Sequence, residues 1–287
     1  MEWINAVLQG VLIGGLYALF AAGLSLIFGV MRLVNIAHGD LIVSAAYIAL
    51  VVVQVTGLHP LASAVLVVPL MAALGYSMQR LLLNPTIGKD FLSPLLVTFG
   101  ISVILQNALL AIFTADSRRL ATGGLETASI EIASGVSLGI LPLMMFAASV
   151  LIILVLELVF FRTSLGRAFR ATSDDPEVAQ LMMLDRRHVF GMAMALSCAV
   201  VAIAGIFLAM RTNFDPASGP ARLLFGFEAV IIGGLGNLWG TLAGGVVLGV
   251  AQAIGAQISP GWQILAGHLV FFLVLALKPR GLFPRMD

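Results

Sequence analysis

Charge is the scarcest feature of this sequence. Only 10% of its 287 residues are charged, against roughly 25% in an ordinary soluble domain. The 60% that are hydrophobic, with a mean hydropathy of +1.08, are more than a soluble core can hide. A net charge of +1, with no dense basic stripe, removes the electrostatic footprint of a nucleic-acid binder. One cysteine, Cys198, excludes an intrachain disulfide and reads as a small buried hydrophobe. No second His, Cys or carboxylate cluster accompanies His38 at metal-ligand spacing. Gly88-Lys89-Asp90 lacks the earlier glycine and the following hydroxyl of a phosphate loop, so the chain cannot hydrolyse ATP alone. His-Glu-x-x-His, Gly-x-Ser-x-Gly and paired-Cys motifs are missing too, which leaves no intramembrane nucleophile with a nearby base.

What is present is apolar sequence in long runs, at 6–30, 39–56, 60–83, 92–114, 140–161, 188–210, 224–235, 238–257 and 261–277. A bilayer core takes about 20 apolar residues per helical crossing. All but 224–235 are long enough, so the expected fold is all-α, a single polytopic transmembrane domain over 1–287 with eight or nine hydrophobic segments. The short run lies beside glycines and is expected to be a broken or re-entrant helix, which membranes tolerate only where protein buries it or it lines a cavity. Met1-Glu2-Trp3-Ile4-Asn5 has no positive n-region, so the first run is read as a retained helix. Positive residues concentrate in cytoplasmic loops. Arg32, Arg80, Lys89, Arg162, Arg167, Arg170, Arg186, Arg187, Lys278, Arg280 and Arg285 fall on one side, leaving Arg118, Arg119, Arg211 and Arg222 on the other. The loop 162–187 and the C-terminal tail are therefore assigned to the cytoplasm, the loops 115–139 and 211–223 to the outside, and by alternation the N-terminus to the outside.

The interruptions carry the rest of the information. In the loop 162–187, Ser164 can cap one short helix, and Asp175 before Pro176 and Glu177 can start another, the two being joined by Thr172-Ser173-Asp174. Val178, Ala179, Leu181 and Met182 would give the second an exposed apolar face on which a partner could dock. The plainer alternative is a connector whose arginines hold the topology. Gly236, Gly240 and Gly244, and likewise Gly245 and Gly249, repeat every four residues and suit close helix approach. Gly233-Gly234-Leu235-Gly236-Asn237 reads as a helix break, with Asn237 capping the next helix or satisfying freed backbone groups. Glu228 inside its run is a functional group, an interfacial residue that reaches water, or a partner of nearby Arg222; Glu157, near Arg162, is expected to be a solvated or paired residue at a helix end. Asn35, His38 and Asp40 line an internal cavity or form a cytoplasmic turn with Asn35 or Asp40 as a cap.

Three ordered stretches resemble the permease subunits of branched-chain amino acid type ABC importers. Gly15-Leu16-Tyr17-Ala18-Leu19 through Asn35-Ile36-Ala37-His38-Gly39-Asp40 is similar to the family's first-helix signature. Gly166-Arg167-Ala168-Phe169-Arg170-Ala171, then Asp175, Ala179 and Leu184-Asp185, looks like its coupling segment, and Phe227-Glu228 through Trp239-Gly240 like its Gly-rich signature. With Arg280-Gly281-Leu282-Phe283, the resemblance covers essentially the whole chain. It departs from the pattern at Met182-Met183, where a glycine is usual soon after the alanine matching Ala179.

The resemblance implies a multi-pass subunit of a bacterial inner membrane, partnered by a second related permease, two cytoplasmic ATPases that use ATP and Mg, and an extracytoplasmic binding protein. It implies that Gly166, Arg167, Arg170, Ala171, Asp175 and Ala179 couple to the ATPases, and that Asn35, His38, Glu228, Gly233, Gly234, Gly236 and Asn237 belong to the translocation path or gate. Branched-chain or related amino acids are the expected cargo. Urea, amides or aromatic acids are the alternatives, and a stand-alone ion-coupled carrier is the rival from another class.

Overall fold

The computed structural model describes residues 2–87, 92–133 and 136–283. Gly88, Lys89, Asp90 and Arg285 lie outside the described residues. Nine helices coincide with the nine apolar runs: α1 (Glu2–Met31), α2 (His38–Thr56), α3 (Ala64–Met78, extended by a π turn over Gln79–Leu83), α4 (Leu92–Phe113), α5 (Ile140–Arg162), α8 (Arg186–Arg211), α9 (Gly219–Gly233), α10 (Leu238–Ile258) and α11 (Trp262–Leu277). Two short helices, α6 (Ser164–Asp174) and α7 (Pro176–Leu181), fill the arginine-rich loop. A hairpin of β1 (Ser129–Ala133) and β2 (Val136–Gly139) precedes α5.

Seven of these helices are long and apolar enough to cross a membrane. The run at 261–277, expected to be among the crossing segments, falls short: Ser259, Pro260 and Gly261 make a turn, leaving 16 residues in α11, about 24 Å of helix. The bundle is a polytopic membrane fold in which α1, α2 and α8 form the centre, while α3, α4 and α5 turn most of their apolar side chains outward. A helix that is apolar all round must be buried on all sides or bathed in lipid, and the two groups divide in that way.

The four-residue glycine repeats act on two neighbours. Gly245 and Gly249 of α10 meet Gly10 and Gly14 of α1, so closely that a Cβ added at Gly14 would sit 2.6 Å from the Val246 Cα, and one at Gly245 would sit 2.6 Å from the Gly14 carbonyl oxygen. Gly240 and Gly244 instead face Gly233 and Ala229 of α9. Gly236 leaves the repeat altogether, because it lies in the turn between α9 and α10 with φ +78°.

Loops assigned to one side do meet. Arg118 and Phe214 exchange backbone hydrogen bonds of 2.8 and 3.0 Å, joining the loops 115–139 and 211–223. Gln9 and Asn5 near the start of α1 bond to the Ser137 backbone, which puts the N-terminal end on that same side.

Gly245→Ala is therefore expected to forfeit the α1–α10 contact, an overpacking cost of about 1–3 kcal/mol. Gly100→Ala, where an added Cβ meets nothing within 4 Å, is expected to be neutral. Thermal unfolding of the two purified variants in detergent checks the difference, and equal stability would refute the close-approach role.

Candidate translocation and coupling sites

After α1 the chain turns back into the protein without a helix. Residues 32–37 are non-helical, yet Leu33, Asn35 and Ala37 are buried. Their backbone groups find local partners: the Ala37 N–H donates to Asn35 Oδ1 at 3.1 Å, the His38 N–H to the Asn35 carbonyl at 3.1 Å, and the Ile36 N–H to Thr98 Oγ1 of α4 at 3.3 Å. His38 then bonds through Nε2 to the Phe20 carbonyl in the middle of α1, at 2.8 Å. Asp40 accepts from Ser102 Oγ at 2.5 Å and from Gln106 Nε2 at 3.0 Å, both on α4. Gly219, the first residue of α9, packs against the Asp40 carboxylate with no room for a side chain.

The solvated cytoplasmic turn is thus corrected. Neither Asn35 nor Asp40 occupies the N-cap of α2, which is Ala37 without a side-chain cap; burial commits all three polar residues to internal partners. Asp40 ties α2, α4 and the start of α9 together.

A second polar cluster joins α1, α9, α10 and α11. Glu228 of α9 is 1% exposed and bonds through Oε1 to His268 Nδ1 of α11. Tyr17 of α1 donates to Gln252 Oε1 of α10 at 2.5 Å. Phe225, one turn before Glu228, bridges the two pairs, with its ring 5.3 Å from that of Tyr17 and 6.4 Å from that of His268. Glu228 Oε2 and Gln252 Nε2 are buried with no hydrogen-bond partner among the described residues. The interfacial reading of Glu228 and its pairing with Arg222 are therefore overturned: a histidine from another helix holds it. His268 escaped the sequence reading, although it is the only ionisable side chain in the run 261–277, the signal that marks intramembrane polar sites.

The residues at 233–237 lie at the far end of α9, apart from Glu228. α9 stops there because Gly234 and Gly236 take φ +107° and +78°, conformations that glycine adopts without a Cβ clash. Asn237 takes the capping role, its Oδ1 accepting from the Gly240 N–H at 2.9 Å, while its Nδ2 donates to the Phe283 carbonyl at 3.0 Å, far along the chain from the break. Leu282 and Phe283 N–H groups close on the Ile232 and Gly233 carbonyls at 2.8 and 3.1 Å. The break therefore anchors the C-terminal Gly281-Leu282-Phe283 segment. Beside it, Trp239 Nε1 donates to Glu157 Oε2, so the partner of Glu157 is this indole and not Arg162.

In the arginine-rich loop, Thr163 replaces Ser164 as the first cap, its Oγ1 accepting from the Gly166 N–H at 3.1 Å. Ser164 opens α6 itself. The helix also runs straight through Thr172-Ser173-Asp174, the stretch expected to be a connector, because Thr172 is buried and Ser173 Oγ donates to the Gly29 carbonyl at the end of α1 at 2.8 Å. Asp175 alone separates the two helices and caps α7, accepting from the Glu177 and Val178 N–H groups at 3.0 Å each. Gly166 rests on the Val159 and Phe160 carbonyls, where any Cβ would collide. Arg170 bonds to the Phe160 carbonyl and lies 5.3 Å over the Phe161 ring. Arg167, Ala171 and Asp175 face outward, whereas Ala179 is buried and leaves the apolar face. That face consists of Val178, Leu181, Met182 and Met183, 53%, 83%, 74% and 96% exposed. Met183 takes φ +61°, the left-handed conformation that commonly ends helices and that costs a residue other than glycine roughly 1–2 kcal/mol.

These features define a multi-pass membrane permease with buried polar clusters and a paired-helix loop at one end. A family model described as "Branched-chain amino acid transport system / permease component" matches residues 6–277, and the chain belongs to that family. It is 28% identical to the high-affinity branched-chain amino acid transport system permease protein BraD of Pseudomonas aeruginosa, across 100% of this chain and 97% of that protein. To LivH, the corresponding permease protein of Escherichia coli, it is 26% identical over the same shares of both chains. The E. coli permease protein LivM matches over 43% of this chain at 27% identity. Among solved structures, a chain of PsaBC from Streptococcus pneumoniae superposes with TM-score 0.50 over 96% of this chain and 91% of that one, at 13% identity, which is a likeness of fold.

A buried hydrogen-bonded pair that loses one member leaves the other unsatisfied, at a cost of about 1–3 kcal/mol, whereas replacing both with apolar groups is close to neutral. His268→Leu is thus expected to lower the unfolding temperature more than the double variant Glu228→Leu/His268→Leu. A double variant no more stable than the single one, measured by thermal unfolding in detergent, would refute the pairing.

Proposed function

We propose that this chain is the membrane-spanning subunit of an ATP-driven importer of the bacterial inner membrane, forming one transmembrane domain over 1–287 and carrying branched-chain amino acids released by an extracytoplasmic binding protein. The relatives' names support the cargo. A second permease subunit and two ATPases, which bring ATP and Mg, complete the machine, and this chain contributes a path without bond-making chemistry. The observation that carries the reading is the pair α6 and α7: each is capped by its own side chain, braced against α1 and α5, and together they end in bare Val178, Leu181, Met182 and Met183. Rigid helices that end in exposed apolar side chains transmit force when a partner seats on them. Gly166, Arg167, Arg170, Ala171, Asp175 and Ala179 shape that lever. Movement of α6 reaches α1 through Ser173 and Gly29, and the buried groups Asn35, His38 and Glu228, with the hinge Gly233, Gly234, Gly236 and Asn237, belong to the path that opens.

An ion-coupled carrier is the second reading, favoured by the buried Glu228–His268 pair, since deep ionisable groups serve proton or ion relays. Reconstitution separates the two. Leucine uptake into vesicles is expected to require ATP, the ATPases and the binding protein; uptake by this chain alone in ATP-free vesicles would overturn the importer. Leu181→Asp/Met182→Asp is expected to cut substrate-stimulated ATPase activity at least tenfold with normal membrane insertion, and unchanged activity would remove α7 from the coupling surface.

A further inference from the structure

Beside the coupling helices lies a cavity of about 270 Å3 between α1, α5, α6 and the α9–α10 turn. Its size falls just under the roughly 300–1,000 Å3 of drug-sized pockets, which suits a small metabolite. Two unlike charges line it, Glu157 from α5 and Arg170 from α6, and among the described residues no ion pair joins them to each other. Each is steadied by a bond that leaves capacity unused. Glu157 gives one oxygen to Trp239 Nε1 and Arg170 one N–H to the Phe160 carbonyl, leaving a second carboxylate oxygen and four further guanidinium N–H donors. Ser25 of α1 closes one end of the cavity and is itself buried, 1% exposed. Leu26, Phe160 and Leu238 give the wall an apolar part, and Asn237, already bonded to Gly240 and Phe283, also borders it.

An anion alone would meet Glu157, and a cation alone would meet Arg170. A neutral apolar molecule would strand both charges. A small zwitterion with an apolar tail answers every group. We propose that this cavity binds a free α-amino acid with an apolar side chain, entering from the cytoplasmic side: its ammonium at Glu157, its carboxylate at Arg170, and its side chain against Leu26, Phe160 and Leu238.

Such a ligand bridges α5 and α6 through its two charges. It favours whichever arrangement of the coupling helix keeps Glu157 and Arg170 at that span, and a ligand shifts an equilibrium by its difference in affinity for the two states. The imported product would then slow its own import. That consequence rests on the import reading, whereas the binding does not.

The test is equilibrium binding of radiolabelled L-leucine to the purified chain in phosphatidylcholine nanodiscs, without nucleotide or binding protein. Saturable binding is expected, with leucinol, which lacks the carboxylate, and 4-methylpentanoate, which lacks the ammonium, competing at least tenfold more weakly. Glu157→Gln is expected to weaken leucine binding at least tenfold, with an unchanged size-exclusion profile. Competition by both analogues equal to that of leucine overturns the proposal without reliance on any variant, as does binding indifferent to Glu157→Gln. Absence of leucine binding, together with Glu157-dependent retention of phosphatidylethanolamine, overturns it in favour of a lipid headgroup carrying the same two charges. Glu157-dependent binding by the chain, with no leucine uptake by vesicles that also hold the ATPases, ATP and the binding protein, supports the cavity and overturns the import reading.

Discussion

Within hydrocarbon, a backbone amide or carbonyl that leaves its helix has no water to bond, and each one left unsatisfied costs several kcal/mol. The architecture follows from where this chain leaves its helices. Two of these places are 32–37 and 234–237, and in both an asparagine supplies an acceptor for a nearby N–H. Asn35 turns the chain back by accepting from the Ala37 N–H. Asn237 caps α10 with one end of its amide and holds the C-terminal segment with the other. These breaks let α2 begin beside the middle of α1, and they bring the end of α9 next to α6.

Close approach without side chains is the companion device. Lipid tails are as apolar as leucine, so helices in a membrane gain from fit more than from escaping water. Gly10, Gly14, Gly245 and Gly249 let α1 and α10 touch through backbone atoms. Gly219 lets the start of α9 rest on the Asp40 carboxylate. The polar clusters occupy the spaces these contacts define, with hydrogen bonds linking helices that the chain order keeps far apart.

Much of this was legible in the residues. Nine apolar runs became nine helices, with ends within a few residues, because length and hydropathy suffice to mark a helix in a bilayer. Asp175 and Asn237 were readable as caps, since a cap acts on an N–H two or three residues away. The errors were also local. Thr163 displaced Ser164 by one position, and the polar triplet 172–174 stayed helical once Ser173 found a carbonyl on α1. Among the site residues, Glu228 stood out as a charge in an apolar run, but its partner His268 is 40 residues away and in another helix. Tyr17 and Gln252 are separated by 235 residues, and Asp40 and Ser102 by 62. No periodicity pairs such positions.

The sequence by itself determined that this protein lives in a membrane, where its spans lie, where its helices break and which loop is built of capped helices. Those properties depend on hydropathy and on contacts within a few residues. Only the tertiary structure decided which buried polar groups face one another: that Glu228 belongs to His268 and not to Arg222, that Glu157 belongs to Trp239, and that Glu157 and Arg170 share a cavity without pairing. Partner choice is set by how helices distant in sequence pack, and that packing turns on sub-ångström room at glycines, which residue type alone does not encode.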